Sequence, residues 1–212
     1  MSAGALFPKG SLLVDGQPVE APQRIDTVFA VVDTSVKDGT TRSGVGAVYF
    51  GFTRFAEPGG SPRRLTVLDW DLREVDGRTI SHWLPSVFAR LDALAETCTA
   101  RLGSTGAYIE NEGARRPFLN HGCRMGLPVQ PLPDKFTSFG DYTERALQIS
   151  EFVSQGEVKV ARAAYERTAE FKGDTRNHLM AQVLGLRVGA ARTEAVELLR
   201  AFCAGVFVAL VE

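Results

Sequence analysis

Asp33 and Glu110 are the residues of this chain best set for chemistry. Asp33 ends the apolar run Phe29-Ala30-Val31-Val32 and opens Thr34-Ser35-Val36-Lys37. Glu110 ends Ala107-Tyr108-Ile109 and opens Asn111-Glu112-Gly113. A short apolar run that stops at a polar residue reads as a buried strand presenting that residue at the end of a sheet. If the two strands lie side by side, the two carboxylates meet. Like charges so placed repel unless a cation sits between them. Oxygen-only ligands suit hard divalent ions, and about three converging carboxylates can hold a pair of them for phosphodiester hydrolysis.

A third acid has to come from a helix that crosses the sheet. The last apolar-periodic segment, Arg192 to Leu210, carries a stripe Ala195, Leu199, Phe202, Val206, Leu210. At about 100° per residue Glu194 falls near the edge of that stripe and Glu197 almost opposite it. Glu194 also sits in a first helical turn, where a carboxylate is favoured. Glu194 is therefore the expected third acid, with Asp174 in Phe171-Lys172-Gly173-Asp174 as fallback. Asp69 and Asp71 end the expected third strand and could also ring the site, although strand-end aspartates are common and a structural role is the default reading. His82, His121 and His178 have no metal-ligand spacing and read as surface or hydrogen-bonded histidines.

Around these acids the pattern gives strands at 25–33, 44–52, 64–70, 107–110 and 127–132, and a short one at 158–160. The 127–132 strand is expected at an edge because of its prolines. Helices are expected at 81–102, after Gly113, at 142–154 and at 192–210. Residues 1–24 hold several Gly and Pro and no periodicity, and read as a linker crossing the surface. Residues 25–212 then form one domain. Three meandering strands followed by alternating helix and strand predict an α/β fold, a mixed sheet flanked by helices.

Composition narrows the function. A hydrophobic content of 44% supplies a core, and a net charge of −1 gives no global basic field for nucleic acid. Local arginine pairs at 63–64 and 115–116 would have to serve instead. The three cysteines, 98, 123 and 203, have no CxxC spacing and fit reduced thiols. No apolar run reaches about 18 residues, and no secretory signal pattern is present, so a soluble protein is expected. Neither a dinucleotide fingerprint nor a Walker loop nor a GxSxG elbow occurs.

These motifs resemble the nuclease domain of tailed-bacteriophage terminase large subunits. Asp33-Thr34-Ser35-Val36-Lys37 is similar to that family's opening Asp-Thr-Ala-x-Lys motif. Tyr108-Ile109-Glu110-Asn111 resembles its second acidic motif. Gly140-Asp141-Tyr142-Thr143-Glu144-Arg145-Ala146, then Gly156-Glu157-Val158, resembles its Gly-Asp-Lys-x-x-Arg-Ala helix and following strand. The stretch from Phe7-Pro8 to Ile25 is similar to the linker that enters the domain. The family's closing Asp-Asp pair is matched by Thr193-Glu194, and its lysine by Tyr142.

The resemblance implies an RNase H-like fold and an endonuclease that cuts double-stranded DNA during viral genome packaging. It implies two Mg²⁺ or Mn²⁺ ions held by Asp33, Glu110 and Glu194, with Asp33 bridging. Lys37, Arg115 and Arg145 would contact DNA phosphates. Implied partners are an ATPase domain, a small terminase subunit and a portal, in the host cytoplasm and without a membrane. Two other readings fit the same residues. One is a Holliday-junction-resolvase-like nuclease; the other is a non-catalytic interaction domain of the same fold.

Overall fold

A computed structural model describes residues 5–35, 43–54, 64–75, 80–111, 116–187 and 196–211. A 3-10 turn at Lys9–Leu12 precedes three long strands, β1 (Thr27–Ser35), β2 (Ser43–Thr53) and β3 (Arg64–Val75). Helix α1 (Ile80–Thr97) leads to β4 (Ser104–Ile109), α2 (Arg116–Arg124) and β5 (Val129–Pro131). Then come α3 (Asp134–Thr137), α4 (Tyr142–Ser154), β6 (Val158–Val160) and α5 (Arg162–Glu166). The chain closes with the hairpin β7 (Ala169–Phe171) and β8 (Asp174–Arg176), then α6 (His178–Leu184) and α7 (Glu197–Leu210).

Six strands form one sheet in the order β5-β4-β1-β2-β3-β6. β1, β2 and β3 run as an antiparallel meander, while β4, β5 and β6 add in parallel. This is the mixed, helix-flanked α/β sheet expected from the sequence pattern. β5 lies at an edge, where its prolines cost no ladder hydrogen bond.

Alternation along β1 divides the core. Phe29 and Val31 face one cluster, which α4, α6 and α7 cover. Val28, Ala30 and Val32 face the other, which α1 and α2 cover. With both faces covered, the strands read as near-continuous apolar runs. α7 lies over β1 and β2, and Gly205 lets it come close. A Cβ on Gly205 would run into the ring of Phe50. Gly205→Ala gains about 1 kcal/mol of helix propensity but overpacks a fully buried ring, a cost of about 1–3 kcal/mol. The expected result is a Tm lower by a few degrees, measured by thermal unfolding.

Three features differ from the sequence reading. β3 reaches Val75 rather than ending at Trp70, so Asp69 and Asp71 lie within it. α1 stops at Thr97, because the chain turns through positive φ at Thr99 and Gly103. The segment 1–24, read as a surface linker, is packed into the domain over its described part. Phe7 and Leu12 are fully buried, and Phe7 meets Phe202 of α7 edge-on at 5.6 Å. The Lys159 ammonium holds this strap by donating to the carbonyls of Ser11 (2.8 Å) and Leu13 (3.1 Å). Burial, with Arg64 nearby, draws the Lys159 pKa below its usual value. A Gly- and Pro-rich segment without periodicity still docks when its few large apolar side chains find pockets.

Candidate active site

A one-residue irregularity in β4 decides where Glu110 goes. Val28 pairs with Ser104, but Ala30 pairs with Ala107, so β4 carries an extra residue there. Gly106, at φ +98°, takes a conformation that L side chains rarely adopt, and its Cα faces the Pro128 carbonyl. Since side chains alternate with period two, one extra residue switches every later side chain to the opposite face. Val31 then pairs with Tyr108 and Val32 with Ile109. The next residues along, Asp33 and Glu110, leave the sheet on the face of α4 and α7. Each is only 4% exposed.

α7 brings a further acid to this end. Its first residue, Glu197, is 1% exposed and lies over Gly44 and Gly46 of β2. Gly46 is the register partner of Asp33. A Cβ at Gly44 would come within 2.5 Å of Glu197 Oε1, and one at Gly46 within 3.2 Å of Glu197 Cβ. The alternating Gly44-Val45-Gly46 is thus a cradle for the helix start. Val196, the N-cap of α7, offers no side-chain cap. Gln182 of α6 supplies one instead, its Oε1 accepting from the amides of Leu198 (2.9 Å) and Leu199 (3.1 Å). Asp33, Glu110 and Glu197 thus arrive from three distant stretches at one end of one sheet face.

Two arginines stand among these acids. Arg145 of α4 donates from Nη1 to Glu110 Oε1 at 3.0 Å. Arg200, one turn after Glu197 on α7, places Nη1 3.7 Å from Asp33 Oδ2. Among the described residues no three His, Cys, Asp or Glu side chains are drawn together as a ready metal cluster. Asp33 and Glu110 are turned toward cations already in the protein, which offsets the cost of burying them. The donor set is nevertheless carboxylate oxygen throughout, which fits Mg²⁺ or Mn²⁺ rather than a thiol-seeking metal. His178 is not part of it, since its Nε2 meets the carbonyls of Ala169 (2.9 Å) and Asp174 (3.1 Å).

The expected site residues distribute as follows. Asp33 and Glu110 come together. Glu194, Lys37 and Arg115 lie outside the described residues. Asp174 is on β8 and pairs with Arg176 at 3.0 Å. Glu197, placed opposite the apolar stripe by the sequence pattern, is buried. The reason is that α7 has no single stripe: Leu198, Leu199, Ala201, Phe202, Cys203, Ala204, Val206 and Phe207 are all buried, so both flanks meet protein. Arg200 and Gln182 were not singled out by sequence. The spaced glycines of β2 were the one available signal of a close approach.

Asp69 and Asp71 belong elsewhere. They face α1, on the other side of the sheet. Asp69 meets Arg90 at 2.7 Å and Arg167 at 3.2 Å. Asp71 accepts from Trp83 Nε1 at 2.9 Å and meets Arg73 at 3.0 Å. Burial, reinforced by Asp71 and then Asp69, pushes the neighbouring Tyr49 hydroxyl far up, so it stays protonated. This network ties α1 and the end of α5 to β3. The thiols of Cys98, Cys123 and Cys203 are free, and burial raises the pKa of Cys203, leaving it inert.

No protein-family model matches the chain. No curated protein matches it either. Solved structures do. The human cytomegalovirus terminase nuclease domain aligns with a TM-score of 0.55 at 12% identity, covering 88% of this chain and 85% of that one. The Mn-soaked form of the same domain gives 0.52 at 12% identity over the same shares. The large terminase nuclease of thermophilic phage G20c, with bound magnesium, gives 0.47 at 13% identity over 97% and 98%. The chain therefore has the fold of the terminase nuclease domains, an RNase H-like mixed sheet flanked by helices.

Proposed function

We propose that this chain is a metal-dependent endonuclease acting on double-stranded DNA, the nuclease domain of a viral packaging terminase. The observation that supports it best is the burial of Asp33, Glu110 and Glu197 at one end of one sheet face, on a fold shared with terminase nuclease domains. Chance would scatter three buried carboxylates over the sheet, since burying a charge is costly without a purpose or a partner. The Mn-soaked structure of the cytomegalovirus domain supports a divalent ion.

In this reading Asp33, Glu110 and Glu197 would hold the divalent ions, Mg²⁺ or Mn²⁺, at this end of the sheet. When bound, the ions lower the pKa of a water and stabilise the leaving oxygen. The protein's own part is to fix the acids. The bulge at Gly106 sets Glu110, the glycines of β2 admit Glu197, and Gln182 anchors the start of α7. Lys37 and Arg115 remain proposed contacts to the DNA backbone, which would orient the duplex without reading sequence. An ATPase domain, a small terminase subunit and a portal are the proposed partners. No helix among the described residues is long and apolar enough to cross a membrane.

The arginines paired with Glu110 and Asp33 also suit a second reading, a non-catalytic scaffold whose acids are permanently neutralised. Supercoiled plasmid with millimolar Mn²⁺ separates the two. The expected result is nicking and linearisation, abolished by EDTA and by Asp33→Asn. Intact plasmid and branched DNA, with no Mn²⁺-induced rise in Tm, would sink the nuclease reading, because a bound ion must stabilise the native state.

A further inference from the structure

Arg145 belongs to a motif that the sequence points toward DNA, yet its guanidinium faces inward. Its side chain is 13% exposed. Nη1 donates to Glu110 Oε1 at 3.0 Å, Nε to the carbonyl of Phe139 at 3.2 Å, and Nη2 to the carbonyl of Thr137 at 3.2 Å. The plane lies over the Phe136 ring, 5.0 Å from its centroid. Three edges of the fork are thus used on three acceptors, and one face is stacked. A phosphate contact needs the fork turned outward.

The rest of the motif builds this arrangement. Asp141 caps α4, its carboxylate accepting from the amides of Thr143 (2.7 Å) and Glu144 (3.0 Å). Glu144 reaches back to the amide of Gly140 at 2.9 Å. Ala146 is buried under the helix. Together they fix the first turn of α4 and the loop before it, and so the two carbonyls and the arginine at once.

We infer that Arg145 is a positioning residue: it holds the Glu110 carboxylate in orientation for a divalent ion and does not bind DNA. The inference rests on the proposed nuclease reading. Partners that orient a ligating carboxylate typically matter by about 10- to 100-fold in metal affinity. Only a fork spans Glu110 and both carbonyls, so lysine does not replace it.

The test uses the full chain with Arg145→Gln, Arg145→Lys, Glu110→Gln and the double variant Arg145→Gln/Glu110→Gln, each checked for folding by near-UV circular dichroism. Mn²⁺ affinity is measured calorimetrically without DNA. Affinity for a short duplex is measured in EDTA across a salt series. Expected are a loss of Mn²⁺ affinity of about tenfold or more in both Arg145 variants and no further loss in the double variant beyond Glu110→Gln. Duplex affinity and its salt slope should stay unchanged.

Arg145→Gln that leaves Mn²⁺ affinity within twofold overturns the inference. So does a weaker duplex affinity with the salt slope reduced by about one, rescued by lysine, which is the mark of a phosphate contact. Additive losses in the double variant would also overturn it, since Arg145 would then not act through Glu110. A wild-type chain that binds no Mn²⁺ fails differently: it removes the nuclease reading and the inference with it.

Discussion

Glu197→Gln is expected to lower Mn²⁺-dependent plasmid cleavage by on the order of 100-fold or more, because loss of a direct ligand should exceed the 10- to 100-fold typical of its supporting partners. Glu194→Gln, made in parallel, is expected to cost less than tenfold. Glutamine keeps the shape of a side chain that is 1% exposed, so the helix start and its Gln182 cap stay in place. Asp33→Asn sets the scale of a lost ligand. The comparison decides between two acids only three positions apart. Full activity in Glu197→Gln with loss in Glu194→Gln would return the role to Glu194 and leave Glu197 as a packed first-turn carboxylate.

Phe7→Ala is expected to destabilise the domain by about 3–5 kcal/mol, the usual range for emptying a fully buried phenylalanine site. For a chain of this size that is a fall in Tm of roughly 6–20 °C. Phe7 is fully buried against Phe202, and the adjacent Leu6 amide donates to the Leu186 carbonyl at 3.1 Å. Phe202 belongs to α7 and Leu186 follows α6, the elements that bring Glu197 and its cap to the site. A chain starting at Ile25 should therefore lose both stability and Mn²⁺ affinity. An unchanged Tm in either variant would show that residues 5–24 merely cover the surface, as a linker would.

Much of the sheet was legible because it rests on local pattern. The apolar runs before Asp33 and Glu110 stand toward the ends of β1 and β4, and the edge strand was marked by proline. The helix from Tyr142 to Ser154 is bounded by Asp141 as its cap and by the turn at Gly156. The pair Asp33 and Glu110 was visible for the same reason: a strand ending in an acid advertises itself. The stretch from Arg162 to Leu184 was not legible. Its elements are three to seven residues long, too short for a period to declare itself.

What the sequence by itself determined is where the long strands and helices run and that Asp33 and Glu110 stand toward the ends of two of those strands. What the tertiary structure decided is which of those acids share a face. The bulge at Gly106 places Glu110 beside Asp33, and such a shift leaves no trace in alternation that a buried, all-apolar strand does not show. Glu197 is internal because protein packs on both flanks of α7, a fact about its neighbours. A helical wheel assumes one wet side, and this helix start has none. Arg145 reads as a cation for DNA in sequence; three acceptors from α3, the turn after it and the end of β4 make it a clamp.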